Sequence, residues 1–331
     1  MYNLIKNLNS VAGVSGRENS IANKILTYIA PLTDKAWEDP MGNLIAVKKG
    51  KSEGAKKIML CAHMDEIGFI VTHIDGNGFI KIAPIGGINF VSAAFTYVIS
   101  ENGVRGVLVP NAGTAPADIK WDNVYIDIGA KDKKEAEKKV KIGDFFVCEA
   151  NVHKVGKRLC GRPMDDRIGC AIMIKMAEKL KDVEIDNDIY YCFAVQEEVG
   201  TRGSKPASFA IDPDCGIAFD VTGTGDVPGA KPMECSVGGG AAIKLKDASV
   251  LCDRSIVEKL TEIAKAHDIK YQYEILQFGG TDTNSMQMTR GGVKAGAISI
   301  PTRYIHSNVE MIDLGDVEAC IDLAIAFVSE Y

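Results

Sequence analysis

Four apolar runs in this 331-residue chain end at or near side chains that bind metal ions or move protons. Lys57 to Ala62 leads into His63, with Asp65 two residues on; Ile189 to Val195 leads into Glu197 and Glu198; Cys215 to Phe219 leads into Asp220; and Ala295 to Ile300 leads through Pro301 to His306. Imidazole nitrogens and carboxylate oxygens are the donors that hold zinc and its divalent neighbours. Each residue alone has a plainer reading. A lone His-x-Asp is more often a local hydrogen bond; in a metal site, His63 would give one ring nitrogen to the ion and the proton on the other to Asp65. Asp165-Asp166-Arg167 opens a helical pattern, where acidic residues also complement the helix dipole. One carboxylate suffices as a cap, so Asp166 is assigned that structural role and Asp165 a bridge between two cations. Glu197 and Glu198 repel one another unless positive charge stands near. Neighbours at a strand end point in different directions, so one can ligate while the other takes a proton from bound water.

Those residues need a scaffold that brings strand ends together. The four runs are short, continuously apolar and rich in aromatic or β-branched residues, as in strands buried on both faces. Between them, Asp166 to Leu180 places Ile168, Ile172, Met176 and Leu180 on one stripe, Arg254 to Ala266 does so with Ile256, Leu260 and Ile263, and Val317 to Val328 closes the chain. Ser15-Gly16-Arg17-Glu18 reads as a capping box, with a helix to about Tyr28. Alternating strands and helices predict an α/β body, a mixed, mostly parallel sheet covered by helices. Such sheets bind ligands at the carboxyl ends of their strands, where His63, Glu197, Glu198, Asp220 and His306 converge.

From 67 to 158 the rhythm changes to period-two alternation with turn signals at Asp75-Gly76-Asn77-Gly78 and Glu101-Asn102-Gly103. This predicts a β-rich, barrel-like domain inserted into a catalytic domain made of 1–66 and 159–331. The charge run from Lys131 to Lys141 reads as a solvated helix. His73, His153 and His267 lie away from the strand ends and are assigned structural roles.

The formal charge of −6 gives no basic footprint for nucleic acid or an anionic membrane. The start of the chain lacks the pattern of a signal peptide, and no apolar run is long enough to span a bilayer, so a cytoplasmic location is expected. Nine cysteines without a Cys-x-x-Cys pair read as reduced packing residues.

At the candidate ligands the sequence resembles the tetrahedral, self-compartmentalising dinuclear aminopeptidases, which include glutamyl and deblocking aminopeptidases. The motifs run in order along nearly the whole chain: Gly13-Val14-Ser15-Gly16, Ala62-His63-Met64-Asp65-Glu66-Ile67-Gly68, Asp165-Asp166-Arg167, Gln196-Glu197-Glu198-Val199-Gly200, Phe219-Asp220-Val221, Gly279-Gly280-Thr281-Asp282 and Pro301-Thr302-Arg303-Tyr304-Ile305-His306-Ser307. The resemblance implies two divalent ions per subunit, one held by His63, Asp165 and Asp220, the other by Asp165, Glu198 and His306, with Glu197 as general base and Asp65 behind His63. Zinc is the default metal, with cobalt or manganese as alternatives. It also implies peptide substrates, dimerisation through the insert and assembly into a hollow dodecamer. Asp282 and Arg303 are candidates for contacting substrate. Rival readings are an endoglucanase-type glycoside hydrolase, which would leave His63 and His306 without a task, a related carboxypeptidase or deacylase, and a metal-dependent scaffold.

Overall fold

Residues 1–331 are described by a computed structural model, in which two arrays of strands divide the chain. The larger is an eight-stranded sheet in the order Lys35–Glu38, Leu44–Lys48, Asp188–Ala194, Lys57–His63, Cys215–Thr222, Lys294–Pro301, Ala241–Lys246 and Tyr271–Ile275. Its four central strands, beginning at Asp188, Lys57, Cys215 and Lys294, are mutually parallel. The flanking Leu44–Lys48 and Ala241–Lys246 strands join them antiparallel.

Alternation along one central strand explains why the run is continuously apolar. Ile58, Leu60 and Ala62 enter the main core under helices Arg167–Leu180 and Leu314–Glu330, whereas Met59 and Cys61 enter a smaller core with Ala207 and Met286, from the helices Ser204–Ile211 and Asp282–Gln287. Both faces are dry, as expected of a parallel sheet sandwiched between helices. The Arg167–Leu180 helix is buried beyond its predicted stripe, including Cys170, Met173 and Ile174, because it packs against both the sheet and the C-terminal helix. Asp166 caps it, its side chain accepting from the Gly169 amide. All nine cysteines are free thiols, and no helix is long and apolar enough to cross a membrane.

The second array is a closed six-stranded barrel built from Gly68–Ile74, Ile80–Ile85, Thr96–Ser100, Arg105–Pro110, Val124–Asp127 and Phe145–Cys148, with its own core around Phe69, Val98, Ile126 and Phe146. Both turn signals connect antiparallel neighbours. The charge run contains a short helix, Lys133–Glu137, capped by Asp132. A three-stranded sheet of His153–Val155, Arg158–Cys160 and Met311–Asp313 ties the chain after the barrel to the last helix.

The capping box expected at Ser15 does not form. A helix does run from Asn19 to Ile29, but it has no side-chain cap. Ser15 donates instead to Asp65 at 2.6 Å, and Glu18 accepts from the amides of Gly16 and Gln196 at 2.8 and 3.0 Å. A buried carboxylate and a strand-end amide far along the chain outcompete the local cap.

Arg167, fully buried, fastens these parts together. Its guanidinium donates to the carbonyls of Met64, Leu8 and Val11, each at 2.8 Å, and lies 3.3 Å from Glu66, which also pairs with buried Arg162. Arg167→Met removes the guanidinium donor from three carbonyls and leaves Glu66 with Arg162 as its remaining cationic partner. Urea unfolding should therefore record a loss of about 3–5 kcal/mol; a change under about 1 kcal/mol would show that the clamp is dispensable.

Candidate metal centre

Strand register delivers the first donors. His63 ends its strand opposite Ala194 of the neighbouring parallel strand, so Glu197 and Glu198 emerge beside it. Asp220 lies near the end of Cys215–Thr222, Asp165 stands just before the helix that Asp166 caps, and His306 follows the strand ending at Pro301. These residues, read from separate stretches of sequence, converge. The donor atoms of His63, Asp165 and Asp220 lie within 4.8 Å of one another, as do those of Asp165, Glu198 and His306, so Asp165 belongs to both groups.

His63 Nε2 is 3.0 Å from Asp165 Oδ1, and His306 Nε2 is 3.2 Å from both Asp165 Oδ2 and Glu198 Oε2. The opposite ring nitrogens face backbone carbonyls, His63 Nδ1 at 3.1 Å from the Asp65 oxygen and His306 Nδ1 at 2.8 Å from that of Gly87. A carbonyl only accepts, so both Nδ1 atoms must carry the proton. In a neutral ring Nε2 is then a lone pair aimed at a carboxylate oxygen, and acceptor meets acceptor unless positive charge stands between them. Titration makes the same demand. Burial opposes the imidazolium of His306, yet the carboxylates of Asp165 and Glu198 push its pKa up to about 11. Burial and the Asp165 charge drive the Asp220 carboxyl well above its usual range. Nitrogen and oxygen donors, fixed tautomers and a shared carboxylate wanting positive charge fit divalent cations such as zinc, cobalt or manganese.

Surrounding groups hold this arrangement. The carboxylate of Asp65 is 3.4 Å from His63 Nδ1, farther than the same residue's carbonyl, because its oxygens are engaged elsewhere. They accept from the Ser15 hydroxyl and from the amides of Glu197 and Glu198 at 3.0 and 3.2 Å. Asp65 thus orients His63 through its backbone and pins the Glu197-Glu198 turn through its side chain. Buried Glu310 does the same opposite, accepting from the amides of Met164 at 2.6 Å, Asp165 at 3.3 Å and His306 at 2.9 Å. Gln196, Tyr304 and His306 all have positive φ, near 60°, a conformation costly for residues with a Cβ.

Glu197 is in neither donor group. Its Oε2 is 4.0 Å from His63 Nε2, and burial, reinforced by the charges of Asp220, Asp282 and Glu198, raises its carboxyl well above the usual range. It lines a cavity of about 910 Å³ together with Asp165, Glu198, Asp220, His306 and Arg303. The two candidate substrate contacts separate. Arg303 faces this cavity and makes a two-pronged pair with Asp226, Nε to Oδ1 at 3.1 Å and Nη2 to Oδ2 at 2.6 Å. That pairing holds the Asp226 carboxyl down at about 2. Asp282 is buried behind the site, accepting from the Ser204 hydroxyl at 2.5 Å and the Cys61 thiol at 3.4 Å, and is not part of the cavity lining. His73 lies on a barrel strand, His153 in the small sheet, and His267 pairs with Glu330, all away from the centre.

The sequence profile of a family described as M42 glutamyl aminopeptidase matches residues 42–323. The lysyl aminopeptidase of Pyrococcus furiosus is 35% identical, with 99% of this chain and 97% of that protein covered. Among solved structures, an aminopeptidase of the archaeon Desulfurococcus kamchatkensis superposes with a TM-score of 0.95 at 37% identity, covering 99% of this chain and 94% of that one. The TET1 peptidase of Pyrococcus horikoshii, which can assemble into a tetrahedron or a large octahedral shell, does so at 0.89 and 32% identity over 100% and 99% of the two chains.

His306→Ala removes a donor from one three-residue group and leaves the other intact. Elemental analysis after loading with zinc should show a loss of about one ion per chain; an unchanged zinc-to-protein ratio would remove His306 from the centre.

Proposed function

We propose that this chain, which belongs to the M42 glutamyl aminopeptidase family, is a metal-dependent aminopeptidase that removes N-terminal residues from peptides. The observation that carries the reading is the pair of three-donor groups sharing Asp165, with the carboxylate of Glu197 beside them and outside both. In this reading His63, Asp165 and Asp220 hold one divalent ion and Asp165, Glu198 and His306 the other, zinc by default with cobalt or manganese as alternatives. When bound, two such ions acidify a water and polarise a scissile carbonyl.

Glu197 does the proton work. Its carboxylate lines the cavity beside both donor groups and belongs to neither, which leaves it free to remove a proton from the attacking water. As the carbon–oxygen bond forms and the carbon–nitrogen bond breaks, the same carboxyl returns that proton to the leaving amine. Asp65 supports the step by accepting from the Glu197 amide, which fixes where that carboxylate starts. A glycoside hydrolase would need two opposed carboxyls and nothing from imidazole, whereas here His63 and His306 lie at the centre of the site.

Segments 1–66 and 159–331 form the catalytic domain and 67–158 the insert, whose exposed Phe95, Tyr97 and Trp121 supply apolar surface for self-association. Assembly through the insert into dimers and a hollow dodecamer, located in the cytoplasm, would restrict access to short peptides.

Glu197→Gln keeps the carboxylate's shape and loses its basicity. It should retain bound zinc while kcat falls by about 10²–10⁴-fold; undiminished hydrolysis by the variant refutes the assigned role. Exhaustive chelation should abolish peptide hydrolysis and added divalent ions restore it; activity that survives metal removal overturns the metal-dependent reading.

A further inference from the structure

Outside the acidic and histidine groups of the centre, the cavity lining carries one charged side chain, Arg303. The rest includes Thr224, Val227, Ser249, Leu276, Phe278 and Tyr304, apolar or neutral groups that offer no counter-charge. Arg303 is itself engaged. Both prongs of its guanidinium go to Asp226, and Asp226 also accepts from the Val237 amide at 3.2 Å. A charged substrate side chain entering this cavity must leave water and find a partner that is not already paired. A glutamate would have to displace Asp226 from a bidentate pair, and a lysine would find the Asp226 carboxylate already taken.

Resting on the aminopeptidase reading above, we propose that Asp226 determines specificity: by pairing with Arg303 it removes free charge from the cavity, which therefore selects peptides with an uncharged, apolar N-terminal side chain. Leucine and methionine match the lining. Neither member of the pair touches the scissile bond in this scheme; together they set which first residue is accepted.

The test is a comparison of kcat/KM for leucyl, methionyl, glutamyl and lysyl 7-amido-4-methylcoumarin with the metal-loaded full chain and two variants. In the parent protein the leucyl and methionyl substrates should exceed the other two by at least about ten-fold. Asp226→Asn leaves Arg303 positive and unpaired, so the glutamyl-to-leucyl ratio should rise by at least about ten-fold. Arg303→Met leaves Asp226 negative, so the lysyl-to-leucyl ratio should rise instead. Ratios within one preparation are insensitive to a misfolded fraction, and should one variant be inactive the other decides. A parent enzyme that prefers glutamyl or lysyl substrate overturns the specificity inference alone, as do ratios that stay at the parent value in both variants. Failure to cleave any of the four with zinc, cobalt or manganese overturns the aminopeptidase reading and the inference with it.

Discussion

Both oxygens of Asp165 face imidazole nitrogens at 3.0 and 3.2 Å, and both imidazoles have committed their other nitrogen to a backbone carbonyl. That geometry cannot be neutral and stable at once. Either the rings are protonated, against the penalty of burial, or a cation stands among the donors. Everything nearby serves the same constraint. Asp65 and Glu310 accept from backbone amides of the segments bearing Glu197, Glu198, Asp165 and His306, so the candidate ligands arrive on loops that have little freedom to relax apart. A carboxylate cluster left to itself would spread to relieve repulsion; here the loops are pinned before the repulsion can act.

The fold contributes the convergence. Parallel strands end on the same edge of a sheet, and helices packed on both faces keep that edge open only where the loops leave. With His63 opposite Ala194, and Cys61 opposite Ala218 two residues before Asp220, the register places donors from neighbouring strands at one height. The barrel adds a second wall, because the carbonyl that orients His306 belongs to Gly87, in the segment that follows the Ile80–Ile85 barrel strand. The insert is therefore part of how the site is built.

Much of this could be read in the sequence because strand ends are legible. His63, Glu197, Glu198, Asp220 and His306 each follow a continuously apolar run rich in aromatic or β-branched residues, and the alternation of such runs with helical patterns implied the sheet that gathers them. The positions that could not be read answer to partners far along the chain. Ser15 looked like a helix cap because the local pattern allows it, and only the folded structure shows that Asp65, 50 residues on, is the stronger acceptor. Glu310 and Gly87 carry no local signal. Their function is a contact with His306, and the Gly87 contact spans 219 residues and exists only once the barrel has closed. Asp282, a candidate for contacting substrate, is instead buried outside the cavity lining, where hydrogen bonds from Ser204 and Cys61 satisfy its carboxylate.

The division between rigid and variable parts has a consequence for how such a protein changes its substrate. The candidate donors stand at or just past strand ends and before a helix, on segments held by Asp65 and Glu310, and moving any of them exposes the unfavourable contact between acceptors around Asp165. The Arg303–Asp226 pair makes the opposite trade. It is partly open to solvent and makes no hydrogen bond to the donors of the centre, so losing one partner alters the charge of the cavity without unpairing the centre. Chemistry and selectivity are therefore physically separable here. The first is fixed by an electrostatic requirement that allows few solutions, and the second by a local pairing that a single substitution can reverse.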